Sequence, residues 1–202
     1  MSEFDKQESE LFRLLQESPF DDIRDHYFTL DQFKKRYSPH GPFTYYDDWH
    51  GFNVPGGVVE SFFETFPDLT ADEEMLRGAV VGFDKFYLIG SHEGDDIEDA
   101  LDHELVHATY YLDEDYRHAA NRLVEMFKGD APLTYGKFYH LLKSWGYDDS
   151  TMVDEVNAYL ATTDESWWLG QTNDAELAHA LWNESAPFRS MAAAYRTNSR
   201  WL

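Results

Sequence analysis

The chain of 202 residues carries 39 acidic against 16 basic residues, a formal net charge of −23, with 43% hydrophobic and 17% aromatic content. That field repels phosphate backbones and anionic bilayers, which excludes nucleic acid and membranes as expected direct partners, while the apolar fraction suffices for a packed core. There is no cysteine, so disulfides and thiolate sites are excluded and any transition metal must be held by imidazole and carboxylate.

The first residues, Met1 to Lys6, show neither a basic start nor an apolar run, and no stretch approaches the length of a transmembrane span; a cytoplasmic protein is expected. The acidity reads first as solubility and, more sharply, as a surface that engages a basic protein partner. Oligomeric state has no signature in the sequence.

In chain order, a first helix is predicted over residues 3–17, with Phe4, Leu11, Phe12, Leu14 and Leu15 apolar, ending before Ser18-Pro19. A second runs from Leu30 to Tyr37, capped by Asp31, and carries the short basic cluster Lys34-Lys35-Arg36; Ser38 to Pro42 breaks it. Phe43 to Tyr46 reads as a strand. The aromatic and turn-rich residues 47–57, with His50 between Trp49 and Gly51, read as a loop. Val58 to Phe66 is helical, with Val58, Val59, Phe62, Phe63 and Phe66 expected to face inward, and Thr70 with Glu73 signals a capping box for a helix through Arg77. Gly78 to Val81 and Lys85 to Gly90 suggest a β-hairpin, whose second strand offers an edge for an extended peptide.

The next stretch carries the chemistry. Ile97, Leu101, Leu105, Ala108 and Leu112 recur at helical steps, with the histidines beside that stripe and acidic residues crowding the first turns. Within it lies His103-Glu104-Leu105-Val106-His107. Residues four apart on a helix stand one turn above each other, so His103 and His107 can offer two nitrogens to one ion. Glu104 is about 100° round from His103, placed to act as a base on a water rather than as a ligand.

Further helices follow at 115–128, closed by Gly129 and with Ala119, Leu123, Met126 and Phe127 inside, and at 134–145, ended by Gly146. Another is predicted over Thr151 to Leu160, with Thr151 and Asp154 as a capping box; residues 162–170 read as a turn region, and two last helices flank Pro187.

Two residues compete as third ligand. Asp113 lies six past His107, which on an unbroken helix is about 240° away from it, and Tyr110 stands where a glycine turn would be needed to bring it back. Glu155 projects on the Met152 and Tyr159 flank of its helix, where an ionised carboxylate bordering a core needs a partner or a metal. Ala158 is small enough to let a neighbouring helix approach. Tyr159, His179 and Tyr195, with Tyr110 and Tyr111 as rivals, are candidates to stabilise an oxyanion.

His-Glu-x-x-His followed by a helical glutamate, in the phrase Asp154-Glu155-x-x-Ala158-Tyr159, resembles the gluzincin class of zinc metallopeptidases. The resemblance covers roughly residues 85–162. It implies a Zn²⁺ cofactor held by His103, His107 and Glu155, Glu104 as general base and acid, and a peptide or protein substrate. The thermolysin branch has an acidic residue four past the ligand glutamate, to orient a ligand histidine, and here that position is Tyr159.

The expected fold is therefore α+β and zincin-like, a small sheet with the His-Glu helix and a mainly helical C-terminal part. One domain is expected over 1–202, made of a helical arm (1–40), the sheet and His-Glu helix (41–112) and a helical part bearing the third ligand (113–202). The alternative function is a non-catalytic zincin-like binding module whose acidic surface engages a basic partner.

Overall fold

The computed structural model describes residues 30–38, 41–45, 51–91 and 97–198. The architecture is mixed α+β, mostly helical, with one two-stranded antiparallel sheet among the described residues. The chain divides into two compact units, Met1–Gly94 and Asp95–Leu202, so the boundary falls inside the region expected to join sheet and His-Glu helix. The predicted helix at 3–17 and the loop residues around His50 lie outside the described residues, as do Asp95 and Asp96. Among the described residues no helix is long and apolar enough to cross a membrane.

The first unit contains α1 (Leu30–Tyr37), β1 (Gly51–Pro55), α2 (Gly56–Thr65), α3 (Ala71–Val80) and β2 (Tyr87–Ser91). Asp31 lies within the first turn of α1 rather than capping it, and there it still favours the positive helix end. Residues 41–45 form no strand; instead Phe43 and Tyr45 stack on each other and pack edge-on against Phe33 and Tyr37 of α1. The Thr70–Glu73 capping box is present in both halves.

That nucleus carries α3 on through Gly78 to Val80, which removes the first arm of the expected hairpin. The partner of β2 is β1, within the segment expected to be a loop, in a register that pairs Val54 with Leu88 and Phe52 with Gly90. Gly90 has no room for a side chain, because a Cβ there would stand 2.0 Å from the tip of the Phe52 ring.

The second unit is all helical among its described residues: α4 (Ile97–Leu112), α5 (Glu114–Asp130), α6 (Pro132–Ser144), α7 (Met152–Thr162), α8 (Glu165–Thr172), α9 (Ala175–Glu184) and α10 (Ala186–Asn198). Its centre is α7, which buries Met152, Glu155, Val156, Asn157, Ala158 and Leu160, almost its whole circumference, as expected for a helix surrounded by others. A large core joins Val124, Phe127, Phe138, Leu142, Val156, Leu160, Trp168, Leu181 and Phe188. A smaller one gathers Val106, Tyr116, Ala120, Ala158 and Ala192 where α4, α5, α7 and α10 meet.

Several boundaries depart from the sequence reading for local reasons. Helix α5 runs through Gly129 to Asp130, and Pro132 at the first turn of α6 marks the change of direction. Its inner face is Tyr116, Ala120, Val124 and Phe127, while His118 and Met126 are exposed. The segment expected to be a turn at 162–170 is largely α8, started by Asp164, whose carboxylate accepts from the Trp167 amide at 2.8 Å. Pro187 sits in the first turn of α10 instead of preceding it, a position that tolerates proline.

Helix α6 ends as Gly146 predicts. With φ at +100°, Gly146 donates to the Lys143 carbonyl and Tyr147 to that of Leu142, which is the Schellman pattern. It turns the chain toward α7.

Candidate metal centre

Helix α4 lies against α7 with only Ala108 of the predicted stripe fully buried: Leu101 is 36% exposed, Ile97, Leu105 and Leu112 are half-buried, and the buried side is Glu104, Val106, His107 and Ala108. The inward face is thus the one bearing the His-Glu motif, drawn to α7 by the Val106 and Ala158 cluster and by polar pairing across the interface. Ala158 is fully buried, the close approach expected of so small a residue.

This packing brings three donor atoms together. His107 Nε2 is 3.2 Å from His103 Nε2 and 3.6 Å from Glu155 Oε2, and His103 Nε2 is 3.9 Å from the same oxygen. Among the described residues these three form the group able to share one ion. The three separations lie near or somewhat above the spacing of about 3.3 Å expected between donors about 2.0–2.1 Å from a tetrahedral ion such as zinc. Asp113 is elsewhere occupied, as the cap of α5, its Oδ1 accepting from the Tyr116 amide at 2.9 Å.

The far side of each imidazole is also engaged. His107 Nδ1 lies 2.9 Å from Asp154 Oδ2, and His103 Nδ1 lies 3.3 Å from Thr162 Oγ1. A carboxylate only accepts, so His107 carries a proton on Nδ1. The Thr162 hydroxyl donates to the Ala158 carbonyl at 2.8 Å, which leaves its lone pair to accept from His103 Nδ1. Both rings thereby direct Nε2 toward the triangle.

Electrostatically the cluster favours a cation. His107 experiences burial as the largest single influence, which opposes its charged form, yet the charges of Asp154, Glu155 and Glu104 and the Asp154 hydrogen bond together hold it well above the usual histidine range. His103 is held well below that range, first by burial and then by the charge of His107. Glu104 is itself buried, next to His103 in the chain and near enough to act on His107.

The oxyanion candidates fall in different places. The Tyr159 ring lies 4.6 Å from that of His103, and its hydroxyl meets the Tyr147 hydroxyl at 2.9 Å. His179 is exposed on α9 and pairs with Glu165 at 2.8 Å, and the Tyr195 ring packs edge-on against Tyr116 in the smaller core. The structure brings neither of the last two into the donor triangle. Tyr110 donates to Asn121 at 2.7 Å.

The sequence reading gave neither Asp154 nor Thr162 the contact that it makes with a histidine. Asp154 and Thr162 flank Ala158 at steps of four, so all three lie on the face of α7 turned to α4. Polar residues at that spacing on either side of a buried alanine were the available signal. Asp154 instead resembled half of a capping box, but Thr151 makes no such cap: its hydroxyl donates to the Asp148 carbonyl at 3.1 Å, and Asp154 is turned to His107.

The described residues thus define a mixed α+β protein with a His-His-Glu candidate metal centre in a helical unit. No family model matches the chain, and no curated protein or solved structure matches it.

Proposed function

We propose that the protein is a zinc-dependent hydrolase of zincin-like type that cleaves peptide bonds. The observation that carries this reading is the triangle of His103 Nε2, His107 Nε2 and Glu155 Oε2, with the buried Glu104 carboxylate on the same helix as both histidines.

His103, His107 and Glu155 would hold the ion, two neutral nitrogens and one anionic oxygen suiting Zn²⁺. When bound, the metal supplies a Lewis acid that brings the pKa of water toward neutrality and polarises a carbonyl. Glu104 accepts the proton released as water attacks the peptide carbonyl carbon, and returns it to the amine nitrogen as the C–N bond breaks. The Asp154 and Thr162 contacts keep both imidazole rings turned as ligands, and burial limits the water that competes for the site.

The test is elemental zinc per chain in the wild type, His107→Ala and Glu155→Ala prepared identically. About one zinc in the wild type and far less in both variants is expected. A wild type that takes up none after incubation with Zn²⁺ refutes the metal centre, and zinc retained by Glu155→Ala alone refutes the choice of third ligand.

A further inference from the structure

The two histidines are backed by different acceptors. The Asp154 contact to His107 is 2.9 Å long and ends on a carboxylate, whereas the Thr162 contact to His103 is 3.3 Å and ends on a hydroxyl. A charge-assisted hydrogen bond to the distal nitrogen makes an imidazole more basic at the nitrogen that binds, and it fixes the ring plane. A hydroxyl fixes the tautomer but donates far less electron density.

Asp154 has forgone alternatives to make this contact. It stands three residues past Thr151, where a capping box would employ it, yet that box is not formed. Its second oxygen, Oδ1, is buried without a hydrogen-bond partner among the described residues. A half-buried carboxylate with one inaccessible oxygen and one strong contact is placed for that contact.

We infer that Asp154 is a positioning residue for the metal centre, an anionic anchor that orients His107 and makes it the stronger of the two imidazole donors, with Thr162 as the weaker, neutral counterpart on His103. The inference rests on the metal-site reading above. It puts the orienting carboxylate one position before the ligand glutamate, on the same helix, and accounts for how the site dispenses with an acid at Tyr159. Asp154 touches neither substrate nor metal; it acts through His107.

The experiment measures Zn²⁺ affinity of the full chain by competition with a chromophoric chelator, and the visible absorption spectrum with Co²⁺ in place of Zn²⁺. The proteins are the wild type, Asp154→Ala, Asp154→Asn, Thr162→Val and Glu155→Ala. Asp154→Ala is expected to bind one Zn²⁺ about 10- to 100-fold more weakly, with an altered Co²⁺ spectrum. Asp154→Asn, whose amide oxygen still accepts from Nδ1 without the charge, falls between it and the wild type and guards against a fold defect. Thr162→Val loses less than Asp154→Ala. Urea unfolding with excess chelator provides the control, since a merely structural Asp154 would lower that stability and leave affinity and spectrum unchanged.

Wild-type affinity and spectrum in both Asp154 variants would overturn the inference. So would a loss of binding as complete as in Glu155→Ala, which would make Asp154 a ligand. A wild type that binds no Zn²⁺ is a different failure, that of the metal-site reading itself.

Discussion

Glu155 Oε2 lies 3.6 Å from His107 Nε2, although their helices, α7 and α4, are separated in the chain by two others. The closeness depends on Ala158, one turn beyond Glu155 and fully buried beside Val106 in the small core. Two helices approach most closely where side chains are small, and added volume at such a point forces the axes apart.

Replacing Ala158 by leucine is therefore expected to cost about 1–3 kcal/mol of stability by overpacking. It should weaken Zn²⁺ binding too, since the donor triangle opens as α7 moves. Urea unfolding and chelator competition measure the two effects. Undiminished stability would show that the interface is not close-packed at Ala158.

On the proposed hydrolase reading, the Glu104→Gln variant separates catalysis from metal binding. The amide keeps the shape of the side chain but cannot accept a proton, so zinc content should remain about one per chain while peptide cleavage falls by about 10²–10⁴-fold. Retained cleavage would remove Glu104 from the mechanism. Unaltered biological activity in a variant that has lost cleavage would favour a binding module with an acidic surface.

What the sequence made legible was set by how locally each feature is determined. The Thr70–Glu73 box, the Gly146 stop and the step of four between His103 and His107 are written within a turn or two of chain, and each appears in the structure. Strand β1 was not legible, because Gly51, Asn53 and Pro55 read as loop and the strand exists only through pairing with β2. Helix α8 hid behind Trp167, Trp168 and Gly170, poor helix formers whose cost is offset by burying Trp168 in the core. Asp154 was misread for the opposite reason: a strong local pattern was overridden by a histidine on another helix.

Gly146 gives a prediction about the turn that precedes α7. Its φ of +100° is open to glycine and strained for a residue with a Cβ. Gly146→Ala should cost about 1–2 kcal/mol and disturb Tyr147, whose hydroxyl meets that of Tyr159 beside His103. A thermal midpoint several degrees lower is expected, and a midpoint equal to the wild type would show that the turn adopts another conformation without cost.

Tyr116 is wholly buried, and its hydroxyl has a single long contact, 3.4 Å to Asn157 Oδ1. Burial first, with the nearby charge of Asp154 adding to it, pushes the phenol from its usual 10.0 up to about 12, and the Asn157 contact opposes the shift only in part. Because the folded value lies above the unfolded one, the associated stability is fully present below about pH 10 and is lost as pH rises toward 12. The loss approaches about 3 kcal/mol at most, taking roughly 1.4 kcal/mol for each pH unit. Tyr116→Phe removes this titration while keeping the ring against Tyr195, and costs about 1 kcal/mol near neutrality for the lost hydrogen bond. Other tyrosines also titrate in this range, so the quantity to measure is the difference in unfolding free energy between wild type and variant from pH 9 to pH 12. That difference should shrink and then change sign as pH rises, the variant becoming the more stable protein. A difference independent of pH would mean that the Tyr116 hydroxyl reaches water in the folded state.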